Sequence, residues 1–342
     1  MKKFVLKLIP FVILCLLVTV LFPLLLDPYN VFHVMSIRDN GVEPNKNYIK
    51  MSYIINEPDR FDAYFFGSSR VGAFHTEKLN GCNCYNMTYS VGLPVEFKDN
   101  LKTMIDKGVS VKRIYVGLDS ASYTYVYEGR EQDPLRASYE YLTAHPAEFC
   151  KLYLESAKTF RSIPTIVKNK KTEGYAERFY SYGWPIDYGI KPMETYGGLP
   201  EISVGPAEDP YGEMEKELQA IKEMKEICDD NGIEFIVITM PMLWITYNES
   251  VDKLYYTEFM KRLSEITDYY NFSGLNEITR DQNNYFDPSH FGAEIGDIVL
   301  SCLNGQEVPE ELYEDGFGWY VTEENIDELL NVLEAGKVDK PE

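Results

Sequence analysis

A chain of 342 residues, 45% hydrophobic and 25% charged, has material for one large domain or two small ones around a sizeable core. Its formal charge of −21 excludes nucleic acid as a partner, which demands basic patches, and excludes peripheral docking on anionic lipid.

Met1-Lys2-Lys3 precedes a run from Phe4 to Leu26 in which everything from Leu8 onward is apolar except Thr19. That length matches the roughly 20 apolar residues a helix needs to cross a bilayer. A cleaved leader would have a shorter apolar core, about 7–15 residues, ending in small side chains. Phe22-Pro23-Leu24-Leu25-Leu26 offers no such site. Residues 1–26 are therefore expected to form a retained transmembrane signal anchor, with residues 4–26 in the membrane. Lysines before the span and Asp27 after it place the N-terminus in the cytoplasm and the main domain outside the cell membrane. Residues 27–60 read as a juxtamembrane connector. The six cysteines, Cys15, Cys82, Cys84, Cys150, Cys228 and Cys302, form no CxxC pair. They read as scattered thiols rather than a disulfide framework or a metal site. Asn86-Met-Thr, Asn248-Glu-Ser and Asn271-Phe-Ser match the glycosylation pattern, which recurs by chance.

Phe61–Phe66 is a short apolar run that fits a strand buried on both faces. Cys84–Thr88 reads as a second strand. After the break at Gly92-Leu93-Pro94, residues 95–107 form a helix, and Arg113–Leu118 is a third strand. The alternation lapses from Asp119 to about Glu208, a stretch holding 11 of the 27 tyrosines. Helical pieces are expected there near 135–142 and 147–162, and an irregular loop over 173–206. A helix starts at Pro210 with Asp209 as its cap, presents Met214, Leu218, Ile221 and Met224 on one face, and stops at Asn231-Gly232. Ile233–Met240 is a fourth strand, Val251–Tyr269 a helix, and Tyr270–Phe272 a short fifth strand. Residues 292–303 form a helix, and Thr322 caps a last one carrying Ile326, Leu329, Leu330 and Leu333. Strands alternating with helices predict an α/β fold with a mainly parallel sheet. Such folds bind ligands at the carboxyl ends of the strands, where Ser68, Ser69, Gly92 and Asp119 all fall.

A serine hydroxyl needs a base to remove its proton. Among four histidines, His290 alone has a carboxylate, Asp287, three residues before it in a turn-like sequence. Asp287 can orient the imidazole and stabilise its protonated form. A tetrahedral intermediate also needs donors aimed at its oxyanion. The nucleophile's own N–H is one, and Gly92 could present another. Arg70 could bind an anionic group of a substrate or pair with a local carboxylate. His33, His75 and His145 read as ordinary residues.

In this order the segments resemble the SGNH/GDSL hydrolases. Gly67-Ser68-Ser69 looks like the nucleophile block, Gly92 like the oxyanion glycine, Gly117-Leu118-Asp119 like the Gly-x-Asn block, and Asp287-x-x-His290 like the last block. The resemblance spans roughly residues 60–304. It implies a flavodoxin-like, three-layer α/β/α domain and ester or acyl chemistry without metal or organic cofactor. By position, Ser69 becomes the nucleophile, with His290 and Asp287 completing a triad. Ser69, Gly92 and residue 119 fall on the oxyanion hole, and Arg70 and Ser120 beside the substrate. The departure is Asp119, where the family has asparagine. An ionised carboxylate cannot donate, so Asp119 is protonated, Ser120 substitutes, or the third donor is absent. The anchor makes the layout similar to cell-envelope relatives in D-alanyl transfer or polysaccharide O-acetylation. Those imply an envelope glycopolymer or acyl ester as substrate and a membrane-bound O-acyltransferase as partner. A catalytically inactive member that binds the polymer for such a partner is the alternative. The expected organisation is then an anchor at 1–26, a connector at 27–60, an α/β domain at 61–305 with an insertion at 120–208, and an acidic extension at 306–342.

Overall fold

The computed structural model describes residues 8–17, 21, 27, 45–133, 136–155 and 208–336. Residues 8–17 are helical with exposed apolar side chains. No helix among the described residues is long and apolar enough to cross a membrane. The span expected over residues 4–26 lies partly outside them, as does the helix expected at 147–162, and the loop expected at 173–206 lies wholly outside.

The chain divides into two compact units, residues 1–53 with 129–176, and residues 54–128 with 177–342. This grouping joins part of the expected connector to part of the expected insertion. Within the first unit, Asn45 and Asn47 donate through their side-chain amides to the carbonyls of Ala137 (2.8 Å) and Arg136 (3.1 Å). The Tyr48 ring stacks on Tyr139 and Phe149, at 5.8 Å from each.

The second unit is built on a six-stranded sheet. Its strands are β1 (Ala63–Gly67), β2 (Cys84–Asn86), β3 (Arg113–Leu118), β4 (Glu234–Thr239), β5 (Tyr269–Asn271) and, at the edge, Trp319–Val321. Between the last two in sequence lies a hairpin of β6 (Tyr285–Asp287) and β7 (His290–Phe291), which makes Trp319–Val321 β8. The order is β2-β1-β3-β4-β5-β8, with β1 to β5 parallel and β8 antiparallel to β5. Every residue of β1 is buried, as expected of a strand covered on both faces. Side-chain alternation divides the two aromatic neighbours of this strand. Phe66 meets Phe97 of the helix Pro94–Asp106, with ring centroids 5.5 Å apart. Phe65 packs on Phe74 and Tyr115, within a cluster that also holds Ile238, Ile295 and Val299. The parallel sheet is thus covered by helical residues on each side, an α/β fold.

The helix Pro210–Asn231 forms as its punctuation predicts. Asp209 Oδ1 accepts from the N–H of Gly212 at 3.0 Å, the four apolar residues of one face are buried, and Gly232 ends it at φ 66°. The helix expected over 251–269 is instead two, Trp244–Leu254 and Tyr256–Ser264. Tyr255 breaks them at φ 57°. The break buries both Leu254 and Tyr256 and leaves Tyr255 outside, which one continuous helical face could not do for residues two apart, about 200° around the helix. β8 has no counterpart in the expected strands, and β5 begins one residue earlier than expected. The last helix is Ile326–Ala335, with Asn325 at its N-cap position and no side-chain cap bond there. Thr322, the expected cap, accepts from the Glu324 N–H at Oγ1 (3.2 Å) and from the Ile326 N–H at its carbonyl (3.1 Å), one turn earlier than the helix proper.

Candidate active site

The turn carrying the serines is shaped by a pair of glycines. Gly67 of β1 lies opposite Gly117 of β3. A Cβ on Gly67 would sit 2.2 Å from Val71 Cγ2, and one on Gly117 2.7 Å from the same atom. The two bare positions therefore form a notch that Val71 fills. That lets the 3₁₀ turn Ser69–Ala73 settle directly onto the strand ends. The end of β2 ties the turn down. Asn86 Nδ2 donates to the Val71 carbonyl (2.9 Å), and Thr88 Oγ1 donates to the Ser68 carbonyl (2.5 Å). Asn86 and Thr88 are fully buried, as is Asn271, so two of the three glycosylation triplets have their asparagine in the interior. Sequence reasoning read Asn86-Met-Thr as such a triplet and as the end of a strand, and gave it no part beside the serines. Its place at the carboxyl end of a strand beside the serine turn was the available signal.

The β6–β7 hairpin delivers the base. Asp287 Oδ1 accepts from the N–H groups of Ser289 (2.7 Å) and His290 (2.9 Å), which closes the turn around its own side chain. Its Oδ2 lies 2.8 Å from His290 Nδ1. Because the carboxylate can only accept, Nδ1 carries the proton and Nε2 is left with its lone pair. Nε2 lies 2.7 Å from Ser69 Oγ, which donates to it. Burial favours the protonated Asp287 carboxyl, but the hydrogen bonds from His290 and the backbone outweigh it and hold the group below the ordinary carboxylate range. Serine, imidazole and carboxylate so form one hydrogen-bonded chain, from residues that the sequence places 221 apart. Such a chain can take a proton from the hydroxyl and return it to a leaving group.

Asp119 faces Arg70. Both are buried, and the guanidinium Nη1 pairs with Asp119 Oδ1. The same carboxylate oxygen accepts from the Ala121 N–H at 2.7 Å, capping the 3₁₀ turn Ser120–Ser122. Burial disfavours the Arg70 charge, yet the facing Asp119 carboxylate outweighs it and raises the group above its ordinary value. Asp119 thus sits as an acceptor beside a cation, with Oδ1 toward Arg70 and the Ala121 N–H and Oδ2 3.4 Å from the Ser68 hydroxyl. Of the two roles open to Arg70, the structure shows the local carboxylate. Its remaining bond goes to the chain itself, from Nε to the Ser289 carbonyl at 2.7 Å.

A cavity of about 230 Å³ opens beside Ser69 and His290, lined also by Arg70, Val91, Ser120 and Thr246. Gly92 does not line it. A Cβ there would stand 3.0 Å from the Gly67 carbonyl and 2.7 Å from Phe97, so Gly92 is required for the close approach of its loop to β1. Val91 reaches the cavity from a left-handed conformation, φ 55°. Ser120 Oγ lies 2.7 Å from Ser250 Oγ, whose hydroxyl donates to the Thr246 carbonyl at 2.6 Å. Thr246 Oγ1 donates to the Pro288 carbonyl at 2.5 Å, a second hold on the His290 turn besides that of Arg70. Nothing in the local sequence singles out Thr246, because its partner lies 42 residues away.

The other described histidines have partners of their own. His75 Nδ1 meets Asp297 at 2.9 Å, with Lys78 on the other oxygen at 2.6 Å. His145 bonds back to the Tyr141 carbonyl, and His33 lies outside the described residues. All six cysteines are unbridged, and burial pushes the Cys84 thiol well above its ordinary value. Among the described residues no cluster of His, Cys, Asp and Glu could hold a metal ion.

Neither a scan against models of known protein families nor a search of curated proteins finds a match to the chain.

Proposed function

We propose that the chain is a serine-dependent esterase or acyltransferase of the SGNH type, with a flavodoxin-like, three-layer domain. The observation that carries this reading is the unbroken hydrogen-bond chain from Ser69 Oγ through His290 to Asp287. The strand order β2-β1-β3-β4-β5 supports the flavodoxin-like assignment. Ser69 Oγ attacks the acyl carbonyl as its proton passes to His290 Nε2. Asp287 stabilises the imidazolium that results. The oxyanion is held by the Ser69 N–H and by the loop that brings Val91 to the cavity. Collapse expels the alcohol, which takes the proton from His290. Water or a second hydroxyl then resolves the acyl-enzyme by the same path. The cavity of about 230 Å³ has room for a short acyl group.

Residues 4–26 place the domain on the outer face of the cell membrane in this reading, which makes an envelope glycopolymer the natural acceptor or substrate. A membrane-bound O-acyltransferase is the natural supplier of the acyl group. The decisive experiment is fluorophosphonate labelling and activated-ester hydrolysis by the full-length protein. Labelling that vanishes in Ser69→Ala supports the mechanism; equal labelling of both proteins overturns it. One observation favours the non-catalytic alternative, a polymer-binding partner of the acyltransferase. Asp119, at the place of the family's donor asparagine, is committed as an acceptor. Polymer binding without any labelling of Ser69 is the outcome that alternative expects.

A further inference from the structure

Arg70 directly follows the candidate nucleophile, and its side chain turns into the protein rather than toward solvent. One guanidinium there touches two separate segments. Nη1 pairs with Asp119 at the end of β3, and Nε donates to the carbonyl of Ser289, the residue before His290. We propose that Arg70 is a positioning residue of the candidate active site. Its guanidinium clamps the serine turn to the His290 turn and to the end of β3, so the alignment of Ser69 with His290 depends on it.

Neutralising Asp119 would need only a cation. The bond to Ser289 serves no such purpose, and it acts where alignment is set. Ser69 and Arg70 are adjacent, as are Ser289 and His290. The Arg70–Ser289 bond therefore runs alongside the Ser69–His290 bond, one residue out on each strand of the contact. The carbonyls of Pro288 and Ser289 are gripped by Thr246 and Arg70 in succession. The backbone on the amino side of His290 is thereby held at two consecutive residues. Arginine suits the task because its planar guanidinium can face the Asp119 carboxylate with one nitrogen while another donates to the Ser289 carbonyl, whereas a lysine ammonium is a single point of charge. A displacement of about 1 Å between reacting groups can cost roughly 100-fold in rate.

The clamp rests on the reading of Ser69 as nucleophile, so its test needs a readout independent of that reaction. With only four histidines in the chain, ¹⁵N-histidine labelling of the full-length protein in detergent resolves the imidazoles, and His290→Gln identifies the signal of His290. The variants are Arg70→Lys, which keeps a cation beside Asp119, and Arg70→Met/Asp119→Leu, which removes both buried charges and keeps the volume apolar. The second carries the test if the first does not fold. Thermal melts report folding. The expected result is that a folded variant loses the slowly exchanging Nδ1–H signal of His290. Its Ser69 labelling should also slow about 100-fold and follow a displaced pH profile. Wild-type His290 resonances and wild-type labelling rate in either folded variant overturn the clamp. If fluorophosphonate fails to label even the wild type, the esterase reading falls, while the His290 spectrum still decides whether Arg70 holds the imidazole.

Discussion

The Nε2 atom of His290 lies 2.7 Å from the Oγ of Ser69, one from a hairpin late in the chain and the other from the turn after the first strand. The imidazole presents an acceptor nitrogen to the serine because its other nitrogen is committed to Asp287.

Ser69→Ala should therefore abolish fluorophosphonate labelling while leaving the melting temperature nearly unchanged, since a partly exposed hydroxyl is lost. Asp287→Asn should be nearly as severe. An amide at that position can donate to Nδ1, which favours the tautomer with the proton on Nε2 and blocks proton transfer. A loss of up to about 10⁴-fold in the acylation rate is expected, measured as the second-order labelling constant. Rates within a few-fold of wild type would remove Asp287 from the mechanism.

The depressed Asp287 carboxyl sets a pH dependence. A group whose folded pKa lies below its unfolded value of about 3.9 contributes stability above that value, and loses it as pH falls through the folded pKa. Asp287 should thus stay ionised throughout the neutral range, with its contribution disappearing only in acid. Urea denaturation between neutral pH and pH 3 should show a shallower acid slope in Asp287→Asn than in wild type. The side chain is about half exposed, so the difference will be small. Identical slopes would mean that the carboxyl titrates normally.

Asp119→Asn would make the sequence more like the family's motif, yet it should weaken the protein. It would leave the buried Arg70 cation without its counter-charge, which costs about 3–5 kcal/mol when one partner of a buried pair is removed. Chemical denaturation measures this directly. Unchanged stability together with faster labelling would mean that residue 119 does act toward an oxyanion.

The notch of Gly67 and Gly117 makes a packing prediction. Gly67→Ala should destabilise by about 1–3 kcal/mol through overpacking against Val71. Adding Val71→Ala should recover part of that loss, because the two sites share one contact. Strictly additive effects in a double-mutant cycle would contradict the notch.

Much of the framework was legible because its signals are local. Apolar runs of strand length, the Asp209-Pro210 start and the Gly232 stop each act on neighbouring residues, and β1 to β5 and the Pro210–Asn231 helix formed within two residues of their expected places. The order of the chemical segments was also readable, since in a parallel sheet consecutive strand ends fall along one edge. Local reading failed where packing selected between adjacent residues. Periodicity ran through Tyr255, but burying both of its neighbours required a break. It failed again at β8, three residues whose role as a strand comes from pairing with β5.

The sequence by itself determined the alternating α/β pattern, the serine turn after β1 and the Asp287–His290 pair, because those depend on residues near one another in the chain. Only the tertiary structure decided that His290 meets Ser69, that Asp119 is held by Arg70, and that Gly92 supports the loop rather than lining the cavity. Each of those outcomes depends on a partner from a distant segment. Burial makes the pairing of such groups obligatory, but their identity is set by which strand ends the fold brings together.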